Sequence, residues 1–148
     1  MTTYELLDCI ADSVNPTLGL LALSVPWLRD YRIQRPSSGT RIAGAVMCVG
    51  IAYVGQAIDR FTGIWPALGL DYSAHSAVCV ALLVSLGHLS GRWRLASVGV
   101  GAAYAAVMMY QGYHTFADIV TTAMPIGLAC MVVWRCRLLR DRPTRSMR

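Results

Sequence analysis

Two histidines and an aspartate are the groups in this sequence best suited to moving protons or attacking an electrophile. His75 lies in DYSAHSA (71–77), and His114 and Asp118 lie in GYHTFAD (112–118). The four-residue spacing of His114 and Asp118, at the start of a helix, predicts two side chains one turn apart on one face. A carboxylate so placed accepts a hydrogen bond from one imidazole nitrogen and fixes the tautomer, which leaves the other nitrogen free as nucleophile or base. Ser73 is a suitable N-cap for a helix beginning at Ala74. The free backbone N–H groups and dipole at such a helix start form an anion site, where a protonated His75 can pass its proton to a leaving oxygen. A zinc site built from His75, His114, Asp118 and Asp71 is the alternative that the same donor types allow.

Elements far apart in sequence must bring these groups together, since the two histidines are 39 positions apart. The apolar segments 74–90 and 95–111, separated by the basic break GRWR (91–94), are each about 17 residues, or roughly 25 Å as helices, close to the thickness of a bilayer's hydrocarbon core. A chain that crosses and returns puts His75, His114 and Asp118 on one membrane face. His88 falls at the opposite end of its segment and reads as a packing residue. Around this pair, residues 4–14 suggest a short amphipathic helix lying at the interface. Pro16 suits the first turn of a second helix over residues 14–28, which is short for a span. Ile42–Ile58 is long enough to cross and rich in small residues that let helices approach closely. Asp59–Leu70 reads as an interfacial loop around Trp65, and Phe116–Trp134 as a last span before a basic tail (135–148).

Composition supports a membrane setting. The 148-residue chain is 55% hydrophobic and 14% charged, with mean hydropathy +0.48, far fewer charges than an ordinary soluble surface carries. The fold class expected is therefore all-α: one multi-pass transmembrane helical bundle of four to five spans. The positive charge is all arginine and sits between apolar segments, without the basic face and interleaved aromatics of a nucleic-acid binder. Placing the 29–41 loop, the 91–94 turn and the tail on one side collects twelve of the thirteen arginines there, which the positive-inside rule makes cytoplasmic. Arg60 is left outside, near Asp59, Asp71 and Asp118. The histidines then face an exoplasmic compartment, the periplasm if the membrane is a bacterial inner membrane. Five cysteines without a C-x-x-C pair argue against a disulfide framework and a zinc site, and the acidic N-terminus argues against a cleavable signal.

Tyr-Ser-Ala-His (72–75) and His-Thr-Phe-Ala-Asp (114–118), in this order and across two spans, resemble the type 2 phosphatidic acid phosphatase superfamily. The nearest likeness is to its sphingomyelin-synthase-like branch, with Ser-Gly-His-Thr and His-Tyr-Thr-x-Asp motifs. The resemblance covers residues 71–122. It implies that family's helical core and a membrane-embedded lipid phosphatase or phosphotransferase. Its substrate would be a lipid phosphate or phosphodiester, attacked through a phosphohistidine and without a metal or other cofactor. In it, His114 matches the nucleophile, Asp118 the carboxylate that orients it, and His75 the acid that protonates the leaving alcohol; Ser73 and the amide of Ala74 match positions that hold phosphate oxygens. The family's pattern has an arginine where Met108 stands and a glycine where Ala74 stands. Its Lys and Arg-Pro motif finds only Arg29 with Arg35-Pro36, at the wrong spacing and on the cytoplasmic side. Arg60 is therefore expected to supply the missing cation, with Asp71 beside it among the substrate-binding residues. A chain this short has reason to dimerise to enclose its site, and the alternative function is a non-catalytic protein of the same fold that binds lipid or a partner.

Overall fold

The computed structural model describes residues 2–33 and 38–140; Arg35, Pro36 and the tail arginines at 142, 145 and 148 lie outside them. The described residues form six helices and no strand: α1 (Thr3–Ile33), α2 (Ser38–Thr62), α3 (Ile64–Ala67), α4 (Ala74–Gly87), α5 (Gly91–Tyr110) and α6 (Phe116–Arg140). Three of these, over Tyr4–Leu28, Ser38–Thr62 and Phe116–Arg137, are long and apolar enough to cross a membrane. The apolar α4 is shorter, at 14 residues.

Local chemistry sets the helix starts. Thr2 and Glu5 close a reciprocal capping box, the Glu5 carboxylate accepting from the Thr2 N–H (2.7 Å) and the Thr2 hydroxyl from the Glu5 N–H (3.3 Å). Ser73 caps α4 as its type and position suggest, accepting from the Ser76 N–H. Ser90 caps α5 by accepting from the Trp93 N–H, so the basic GRWR is the first turn of α5 and the break falls before it, at His88–Ser90. Where the sequence suggests an interfacial helix and a new start at Pro16, α1 runs unbroken through Pro16 and Pro26. Likewise α2 extends four residues beyond Ile58 and the short α3 takes four more from the expected loop, with Gly63 and Gly69 at positive φ on either side of it.

The bundle is built around α4, which packs against α1, α2, α5 and α6. Its small residues suit that place: Ala77 and Ala81 are completely buried, and Ser76, Cys79, Ser85 and Gly87 are buried with them. A helix apolar on all sides belongs in an interior. On one side of α4, Cys79, Leu82 and Leu86 join Ala11 and Leu18 of α1 and Tyr104 and Met108 of α5. On the other, Ala77 and Ala81 join Cys48 and Ala52 of α2 and Ile126, Cys130 and Trp134 of α6. Two glycines of α2 permit the second contact. A Cβ at Gly44 would sit 3.0 Å from the Trp134 ring, and one at Gly55 would sit 2.7 Å from the Tyr72 hydroxyl, which donates to the Ala52 carbonyl at 2.7 Å.

These contacts fix the directions of the helices. Ser73 meets Thr122 and Ser85 meets Trp134, so α4 and α6 run the same way. Thr40 meets Arg137 and Cys48 meets Cys130, so α2 runs against them. Arg41, Arg92, Arg94, Arg135 and Arg137 are thereby gathered at one end, and Asp71, His75, His114 and Asp118 at the other. All five cysteines are free, three of them buried.

Candidate active site

The site is assembled where the connection into α4 meets the connection into α6. The backbone N–H of Asp71 donates to Oδ1 of Asp118 at 2.8 Å, and the Ser73 N–H donates to the Thr122 hydroxyl, one turn further along α6, at 3.2 Å. These two bonds tie the strand-like entry to α4 onto the first turns of α6. They bring Asp71 alongside the turn that carries His114: Nδ1 of His114 lies 3.9 Å from Oδ2 of Asp71. That is beyond hydrogen-bond length and within reach of electrostatic attraction. The His114 side chain is 13% exposed whereas that of Asp71 is 74% exposed, so the carboxylate stands at the mouth and the imidazole behind it.

Asp118 is engaged differently from the sequence expectation. Its Oδ2 accepts from the Thr115 N–H at 2.8 Å and from the Thr115 hydroxyl at 2.7 Å, and the Asp118 N–H donates back to that hydroxyl at 3.2 Å. Thr115 and Asp118 form a capping box, so α6 begins at Phe116 and His114 lies ahead of it. His114 and Asp118 therefore do not share a helical face, and the carboxylate that would orient the imidazole is occupied by Thr115 and Asp71. The residue nearest to that role is Asp71.

Ser73 is also committed internally. It is completely buried, with its hydroxyl donating to Ser76 Oγ at 2.8 Å and its N–H held by Thr122. Ala74 opens α4, half-buried, and His75 is exposed in the first turn, where its carbonyl accepts from the Asn15 side chain at 3.1 Å. His75 is four positions after Asp71, so their Cα atoms are at most about 14 Å apart. Arg60 is exposed in the last turn of α2, and among the described residues no arginine hydrogen-bonds or ion-pairs with Asp71, His114 or Asp118.

Further polar groups lie at this end. Gln111 is 7% exposed with neither side-chain amide atom hydrogen-bonded, and the Tyr104 hydroxyl, Asn15 Oδ1 and His114 Nδ1 are buried without a partner. Residues 104, 108 and 111 follow helical spacing on α5, and Tyr104 and Met108 face the shared core. Gln111 continues that inward face toward the mouth. Its carbonyl accepts from the Tyr4 hydroxyl at 3.2 Å, and the Tyr113 hydroxyl donates to Asp8, so α1 covers this side. The helical spacing of Asp8, Asp12 and Asn15 was the available indication that α1 carries a polar stripe. Unpartnered polar groups in an apolar bundle are costly, about 1–3 kcal/mol each, unless something hydrogen-bonds to them.

The described residues contain no cluster of three or more His, Cys, Asp or Glu able to hold a metal ion. No protein-family model, curated protein or solved structure matches the chain.

Proposed function

We propose that this chain is a membrane-embedded lipid phosphatase or phosphotransferase with four to five spans, working on a lipid phosphate or phosphodiester at the exoplasmic face. The observation that carries the reading is His114, a nearly buried imidazole whose Nδ1 has no hydrogen bond and faces Asp71 across 3.9 Å, at the end of the bundle opposite the five gathered arginines. Ionisable groups at membrane depth are functional by default. With Nδ1–H turned toward the Asp71 carboxylate, Nε2 carries the lone pair that attacks.

In the proposed reaction a His114 nitrogen forms a bond to phosphorus as the ester P–O bond breaks. The electron pair stays on the departing alcohol oxygen, which takes a proton from His75. Water, or a second alcohol, then attacks phosphorus, the P–N bond breaks, and the nitrogen recovers its lone pair while the new nucleophile's proton returns to His75. Arg60 would supply the positive charge that a phosphate requires. By the positive-inside rule the arginine-bearing end is taken as cytoplasmic in this reading, and the site would face the periplasm if the membrane is a bacterial inner membrane.

A second reading rests on a specific observation: Ser73 and Asp118 already have internal partners, and no described arginine pairs with the site. On it, the chain binds a lipid or a protein partner without chemistry. One experiment separates the two. Purified protein in detergent is assayed for phosphate release and headgroup exchange across a panel of lipid phosphates and phosphodiesters. Catalysis predicts activity that falls to background in His114→Ala and by about a hundredfold in Arg60→Ala, the usual effect of removing one charge-stabilising donor. Wild type as silent as His114→Ala across the panel would leave the binding reading standing.

A further inference from the structure

We infer that the gap between α5 and α6 is a binding site for a membrane lipid with an anionic headgroup, at the arginine-bearing end and independent of the chemistry proposed above. The gap is a groove of about 550 Å³. It exists because α5 and α6 both pack on α4 and barely touch each other. Val80, Leu83 and Val84 make its floor, and Val98 and Ala102 of α5 and Met131 of α6 make its walls. Close approach keeps the floor flat: a Cβ on Gly101 would meet Leu83 at 3.1 Å, and one on Gly127 would meet Val80 at 3.2 Å. The floor from Val80 to His88 is eight residues of helix, about 12 Å, a length that takes part of one extended hydrocarbon chain.

The polar lining residues stand at one end only. His88, Arg94 and Ser97 cluster where α4 hands over to α5, and the lining toward Val80 and Ala102 is apolar. This division matches a lipid: chain along the floor, headgroup at the handover. His88 is held for the purpose. Its ring stacks on Trp134 at 5.1 Å, nearly parallel, and its Nδ1 donates to the Val84 carbonyl at 2.7 Å. Since a carbonyl can only accept, the proton sits on Nδ1, and Nε2 is left as an acceptor for a hydroxyl of the headgroup. Arg94 is exposed, and its planar fork suits two oxygens of one phosphate. Arg92, Arg135 and Arg137 occupy the same end. The charge there selects a phosphate-bearing anionic lipid over a zwitterionic one.

The test is native mass spectrometry of the full chain after reconstitution with equal phosphatidylglycerol and phosphatidylcholine. Wild type should retain phosphatidylglycerol in preference. Arg94→Gln should lower that preference about fivefold, the worth of one arginine at an anionic lipid surface, and Arg94→Lys should lower it less. Ala102→Trp, at an exposed wall position, should remove retention of both lipids while circular dichroism shows the helices intact. Equal retention of the two lipids by wild type, or an Arg94→Gln protein with unchanged preference, overturns the site. So does a wild-type dimer that Ala102→Trp turns into monomer, because a second copy would then fill the groove. Should Ala102→Trp fail to fold, the Arg94 pair decides.

Discussion

Asp118 shows how one carboxylate can satisfy either of two neighbours at similar sequence distance. Thr115 is three residues away and His114 four, and the capping box with Thr115 supplies three hydrogen bonds where the imidazole would supply one. Removing the charge should therefore be felt first as lost stability. Asp118→Asn should lower folding stability in detergent by about 1–3 kcal/mol, and Thr115→Val should do the same in smaller measure, read from thermal melts. If Asp118 instead held His114, Thr115→Val would leave the melt almost unchanged. That a helix starts beside His114 and Asp118 was legible in the sequence, and the grouping of Asp71, His114 and Asp118 at one end was legible from the two apolar segments that must return. Which carboxylate faces the imidazole was not, because that depends on where the helix begins to within one residue. Gln111 and Tyr104 were hidden for a different reason: a polar side chain in an apolar helix says nothing about whether a partner awaits it.

Among the helices, α1 departs furthest from its sequence pattern. Proline inside a helix removes one backbone bond and costs about 3 kcal/mol in water, which makes Pro16 look like a start. In lipid the alternative to helix is exposed backbone without partners, so the helix persists through both prolines. Its N-terminal end is fixed by the Tyr113 hydroxyl on Asp8, and this carboxylate contact pushes the Tyr113 pKa up to about 12. An ordinary tyrosine titrates near 10, so the contact's contribution is whole below about pH 10 and is lost as pH rises through about 12. Ultraviolet titration should find both Tyr113 and the buried Tyr72 titrating late, each at about 12. Asp8→Asn should return one of them toward about 10 and leave the other. The contact of α2 with the entry to α4 gives a second check on packing. Gly55→Ala would drive a methyl into the Tyr72 hydroxyl and should cost about 1–3 kcal/mol, much less in a Tyr72→Phe background. Additive losses in that double-mutant cycle would mean the two positions do not meet.

For the molecule as a whole, the separation of charge types was the most legible property, since the arginines alternate with apolar runs in the sequence itself. The structure adds that five of them share one end with the polar end of the α5–α6 groove while the titratable cluster occupies the other. Helix continuity was less legible, and it matters most in α1. As one piece of 31 residues it is roughly 46 Å long, against a hydrocarbon core of about 30 Å. Such a helix must lean or protrude, and how far it leans depends on the thickness of the surrounding membrane. Because α1 touches the turn after α5 through Tyr4 and Asp8 and the start of α4 through Asn15, its lean is transmitted to the segments that carry His75 and His114. Acyl-chain length in the host bilayer is therefore expected to alter the spacing of the two histidines, a change that spin-label distances in short- and long-chain bilayers would report.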